Sequence, residues 1–167
     1  MSDDSTPRLA LPLLRPGQAQ KEITHNEALA LLDLTVQANV LAVGVATPPA
    51  APVPGGAWIV GTAPTGDWAG QAQRLAGWTT SGWRFVAPYE GMTVWSIADA
   101  QPARFAGDGW TLGVLAGSRV AIGGVDVVGA RQAAVANPIG GTVVDNQARA
   151  SITAILATLR GHGLIGT

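Results

Sequence analysis

Nine residues, Pro48-Pro49-Ala50-Ala51-Pro52-Val53-Pro54-Gly55-Gly56, constrain this chain more than any other stretch. Its four prolines lack the amide hydrogen that a helix or central strand must donate, and two glycines follow them. The segment can neither continue a helix nor sit inside a sheet, so one structural region must end before it and another begin after it. A three-part organisation is expected: residues 1–47, 48–113 and 114–167.

The first part opens with Pro7, Pro12 and Pro16 among leucines, the pattern of an extended arm rather than a helix. A helix should follow. Thr24 and Glu27 have capping-box spacing, and Ala28, Leu29, Leu31, Leu32 and Val36 supply an apolar face, although helix-favouring residues reach back to Gln18. Val36–Val45 turns β-branched and reads as a strand. An apolar arm carrying Leu11, Leu13 and Leu14 suits docking on a neighbouring subunit; folding back over its own core is the competing expectation.

Every tryptophan lies in the middle part: Trp58, Trp68, Trp78, Trp83, Trp95 and Trp110. Strands are predicted at 57–61, 74–80, 83–87, 92–97, 103–106 and 109–112. Ser81-Gly82 and Asp108-Gly109 are hairpin-turn dipeptides, each followed at once by a tryptophan. An antiparallel β-module is expected. Small modules use large aromatics to build a core, so most of the six rings should be buried. One or two should stay exposed, where a flat ring can stack on sugar rings or anchor a protein interface. Trp68, in the glycine-flanked Gly66-Asp67-Trp68-Ala69-Gly70, leads this expectation, followed by Trp83 and Trp110.

The third part should hold short strands around Gly123-Gly124, then a helix N-capped by Asp145 and ending near Gly161. Ile152, Ile155 and Leu159 lie on one face of that helix and are candidate assembly contacts. The fold class is α+β: arm and helix, tryptophan-rich module, short β segment, C-terminal helix.

Charge and motifs narrow the function. The net charge is −1 with no basic stripe, which removes the electrostatic basis of nucleic-acid binding. Only 13% of residues are charged, as in surfaces covered by other subunits or simply rich in Ala, Gly and Thr. Cysteine is absent, so disulfides, thiol catalysis and zinc–thiolate sites are excluded. No apolar run is long enough for membrane insertion, and Met-Ser-Asp-Asp-Ser lacks the order of a signal peptide, so synthesis in the cytoplasm and release by lysis are expected. Nucleophile-elbow and phosphate-loop motifs are missing, and His25 and His162 belong to different helices. Glycoside hydrolysis would need two of Asp67, Glu90, Asp99 and Asp108, yet Asp67 and Asp108 sit beside glycines in turns where Asp commonly bonds its own backbone. No catalytic residue, metal or cofactor is expected.

Gly17-Gln-Ala-Gln-Lys-Glu-Ile-Thr-His-Asn-Glu-Ala28, Thr65-Gly-Asp-Trp-Ala-Gly70 and Leu159-Arg-Gly-His-Gly-Leu-Ile165 resemble a family of proteins from alphaproteobacterial prophages and gene transfer agents. Its members are similar to fibre and spike proteins of phage-like particles. The resemblance implies a virion-like location, a symmetric homo-oligomer (pentamer or trimer), and capsid or fibre proteins as partners. It implies a head-spike base that supports attachment to cell-surface polysaccharide. No long distal fibre segment follows, which favours the base over a complete fibre; a carbohydrate-binding adhesion module of a tail fibre is the alternative.

Overall fold

The computed structural model describes residues 4–15, 17, 21–142 and 145–166. The chain divides into two compact units, Met1–Val114 and Leu115–Thr167. The proline-rich segment is thus a loop within the first unit, and the boundary expected at residue 48 is corrected. Both short strands before that loop pair with strands after it, which binds the two sides into one body.

In the first unit, α1 (Lys21–Thr35) precedes eight strands: β1 (Asn39–Val40), β2 (Val43–Val45), β3 (Ala57–Val60), β4 (Leu75–Thr79), β5 (Gly82–Val86), β6 (Thr93–Ser96), β7 (Gln101–Ala106) and β8 (Gly109–Leu112). They form two four-stranded sheets, ordered β1-β6-β7-β8 and β2-β3-β4-β5. The hairpins expected at Ser81-Gly82 and Asp108-Gly109 are present as β4–β5 and β7–β8. The sheets are mixed rather than purely antiparallel, because β1 joins β6 and β2 joins β3 in parallel. α1 runs through Thr24, so that residue does not cap it, and Glu27 instead pairs with Arg84 of β5 at 2.7 Å. The start expected as early as Gln18 lies outside the described residues.

A main core joins the two sheets and α1: Leu34, Val40, Ile59, Leu75, Met92 and Val94 are all buried in it. Leu34 lies over Gly77 of β4, where an added Cβ would come within 2.9 Å of the leucine Cγ and closer to its methyls. Glycine is what lets the helix approach the sheet here.

Residues 4–13 are not an extended arm. Ser5 bridges Pro12, Thr6 N–H donates to Leu11 O at 2.9 Å, and Ala10 turns the chain at φ +53°. The buried carboxylate of Asp33 holds this turn against α1, accepting from the Thr6 hydroxyl (2.7 Å) and from the Arg8 and Leu9 amides (3.1 and 2.7 Å). The side chain of Asn26 bonds both the N–H and C=O of Leu14 at 2.9 Å. Of the two expectations for the arm, folding back is the one observed, since these groups satisfy its backbone locally.

The second unit holds an antiparallel ribbon, β9 (Val120–Ile122) with β10 (Val125–Val128), and α2 (Asn146–Gly161). Asp145 caps α2 as expected, accepting from Gln147 and Ala148 amides at 3.0 and 2.9 Å. Arg149 and Arg160 reach from α2 to carbonyls of Pro138, Gly140 and Val135. Residues 130–136 form neither a helix nor a named strand; Gln132 makes a single bridge to Ile165.

Candidate functional site

The tryptophans divide by the face of β2-β3-β4-β5 they occupy. Side chains alternate along a strand, so Ala57, Ile59 and Leu75 face the main core while Trp58, Val60, Ala76, Trp78, Trp83 and Phe85 take the other face. That second face is closed by Trp68, carried on a 3-10 turn (Gly66–Trp68). Gly66 and Gly70, at φ +58° and +78°, allow the tight path that folds this loop over the sheet. Trp68 sits 6.1 Å from Trp58 and 5.1 Å from Trp83 between ring centroids, and Trp83 lies 4.9 Å from Trp78, its direct cross-strand partner. Trp83 meets Trp68 and Trp78 edge to face, packing that stabilises each pair by about 0.5–1.5 kcal/mol beyond area burial, and Trp58 meets Trp68 at a tilt of 51°.

The exposure expected at Trp68 is therefore corrected: the residue is 0% exposed. Trp83 is half-buried in the same cluster. Trp110 is half-buried as well, packed 5.6 Å from Phe105, with its indole N–H donating to Gln73 O at 2.8 Å. All three rings are structural: Trp68 and Trp83 build the small second core, and Trp110 packs with Phe105 against the main core.

The exposed tryptophan is Trp95, at 49%. Burial in β6 alternates so that Val94 and Ser96 point inward and Thr93 and Trp95 outward. Cross-strand register sets Trp95 between Asn39 of β1 and Pro102 of β7, and Thr93 opposite Arg104. Gln37, Asn39, Thr93, Trp95 and Pro102 line a shallow concavity of about 410 Å³. Ile97, 51% exposed, continues the apolar strip.

Gln37 reaches this concavity in a left-handed backbone conformation, φ +45°, just beyond the C-terminus of α1. Glycine is the usual residue there, and a side chain costs about 1–2 kcal/mol. Arg8 holds the turn, donating to the Gln37 carbonyl at 3.1 Å and to the Asp33 carbonyl. This turn ends α1 and leaves the Gln37 side chain exposed at the concavity.

A deeper cleft of about 450 Å³ lies between α1 and the β4–β5 hairpin, lined by Leu13, Ile23, Ala30, Leu34 and Trp78. Its polar groups are largely committed to the fold: Asp33 and Asn26 to residues 6–14, Glu27 to Arg84.

Two of the four candidate carboxylates are engaged in local hydrogen bonds. Glu90 accepts from the Gly107 amide at 2.9 Å, Asp99 from the Ser96 hydroxyl at 2.6 Å, and Asp67 and Asp108 are exposed. Among the described residues no group of three or more His, Asp or Glu could hold a metal ion, and no helix is long and apolar enough to cross a membrane.

The candidate assembly residues fall in both units. Leu11, Leu13 and Leu14 are half-buried against their own unit. On α2, Leu159 is half-buried while Ile152 and Ile155 are 44% and 59% exposed. A larger apolar surface escaped the sequence reasoning. In the ribbon, Ile122 opposes Val125 and Val120 opposes Val128, the register shifting between Asp126 and Val128. Opposed residues share a face, so these four form one apolar face, and Ala121 and Asp126 lie on the other, where Asp126 pairs with Arg119 at 3.3 Å. The four are 45–67% exposed.

The first unit is thus a two-sheet α+β body with a separate tryptophan core and one outward-facing tryptophan. The chain belongs to the family described as "Protein of unknown function (DUF2793)", which it matches over residues 25–111, just over half its length and within this unit. No curated protein matches the chain.

Proposed function

We propose that this chain is a structural component of a phage-like particle, of the head-spike-base kind, that assembles as a symmetric homo-oligomer and supports attachment of the particle to cell-surface polysaccharide. The carrying observation is the apolar face Val120, Ile122, Val125 and Val128 in a unit where, among the described residues, only Leu156 and Ile165 are buried. A two-stranded ribbon is at best marginally stable alone in water. A large contiguous apolar surface marks an interaction site. The opposite face carries an internally paired Arg119 and Asp126, which suits a second copy better than a strongly charged partner. Closed cyclic symmetry, threefold or fivefold for a spike, satisfies such a face in every copy. The resemblance to spike and fibre proteins adds the particle and its capsid or fibre partners.

Light scattering on the full chain at micromolar concentration tests assembly, and a reconstruction of purified particles tests location. A monomer that is missing from the particles would overturn the proposal. A second reading, direct grip on polysaccharide as an adhesion module, is favoured by the exposure of Trp95.

A further inference from the structure

We infer that the outer face of β1-β6-β7 around Trp95 is a saccharide-binding site, and that its ligand is an uncharged pyranose-based glycan. This deepens the attachment reading by assigning contact with sugar to this chain, but its ground is separate.

A pyranose ring offers a flat array of C–H bonds on its faces and hydroxyls around its edge. Its receptor needs an accessible aromatic plane with uncharged hydrogen-bonding groups beside it. Trp95 is the tryptophan that the fold leaves half exposed on a sheet face instead of using in a core. Asn39 lies directly across from it, Thr93 stands two residues along the same face, and Gln37 lines the same concavity. Carboxamides both donate and accept, as vicinal hydroxyls do. Gln37 is held there in a conformation that glycine would adopt more readily. Pro102 flanks the other side of Trp95, widening the apolar floor.

No charged residue lines the concavity, and the nearest charged cross-strand residue, Arg104, faces Glu90 at 3.9 Å. An uncharged ligand follows from that balance. The open, shallow form suits an internal stretch of polymer rather than an enclosed monosaccharide, and Ile97 extends the strip along β6.

Affinity electrophoresis of the full chain through native gels containing dextran, a β-1,3-glucan or a galactomannan tests this inference. Retardation by at least one polymer is expected, becoming roughly tenfold weaker in Trp95→Ala. Trp95→Tyr should keep most of it, and the double variant Gln37→Gly, Asn39→Ala should weaken it while the ring remains. Light scattering on the same samples separates the readings: the inference requires Trp95→Ala to keep the wild-type oligomeric state. Absence of retardation in all three polymers, retardation unchanged in Trp95→Ala, or dissociation caused by that variant overturns the site. The first two results leave the ribbon-based assembly standing, since it is read from mass alone, whereas dissociation by Trp95→Ala would move the contact between copies to this face.

Discussion

Two tryptophans show how completely location decides a side chain's role. Trp68 is sealed against Trp58 and Trp83, whereas Trp95 lies half in water. Truncating a fully buried large aromatic costs about 3–5 kcal/mol, through lost transfer energy and the cavity left behind. Urea denaturation should show Trp68→Ala destabilised by that amount and Trp95→Ala by less than about 1 kcal/mol. Equal losses would contradict the assignment of the two rings. Asp33 is a second decisive residue. Its carboxylate takes three hydrogen bonds from residues 6–9 in a site only 2% exposed. In Asp33→Ala the Thr6 hydroxyl and two amides lose their acceptor, a loss of about 2–4 kcal/mol. The same denaturation measurement reads it, and proteolysis of residues 4–14 should become faster.

Among the elements, the hairpins were legible because Ser81-Gly82 and Asp108-Gly109 carry their turn chemistry locally. The capped C-terminal helix was legible for the same reason. The parallel pairings of β1 with β6 and β2 with β3 were not, since strands of two or three residues leave no period to read and their partners are distant in sequence. Pro102 concealed the first residues of β7, as proline argues against a strand. The Trp68 loop misled because glycines flanking a tryptophan fit an exposed turn as well as a tight fold onto a sheet. Trp95 could have been found from the alternation Met92, Val94, Ser96 against Thr93, Trp95, Ile97, but only once the strand's inner face was known. Gly77 tests the packing of α1 directly. A methyl there must displace Leu34 from the main core, so Gly77→Ala should cost about 1–3 kcal/mol. Leu34→Ala should blunt that penalty in a double-mutant cycle, because it removes the atoms in conflict. Additive losses would place the strain elsewhere.

For the molecule as a whole, the two units are built on different terms. The first buries two apolar clusters, while the second is knit by arginine-to-carbonyl bonds and leaves its ribbon face in water. The second unit should therefore draw stability from association, and its unfolding should depend on protein concentration as that of the first unit does not. Charge on the apolar face separates these contributions. Ile122→Lys with Val125→Lys places two cations directly across the ribbon, where like charges repel and cannot enter an apolar interface. Light scattering should show this variant shifted to the monomer. The tryptophan fluorescence transition of the first unit, which holds all six indoles, should keep its midpoint. Cleavage by protease should then concentrate beyond Val114, in the unit that has lost its partner. If the double-lysine variant keeps the wild-type mass, the ribbon face does not hold the copies together, and the contact must involve another surface, with exposed Ile152 and Ile155 of α2 the next pair to charge.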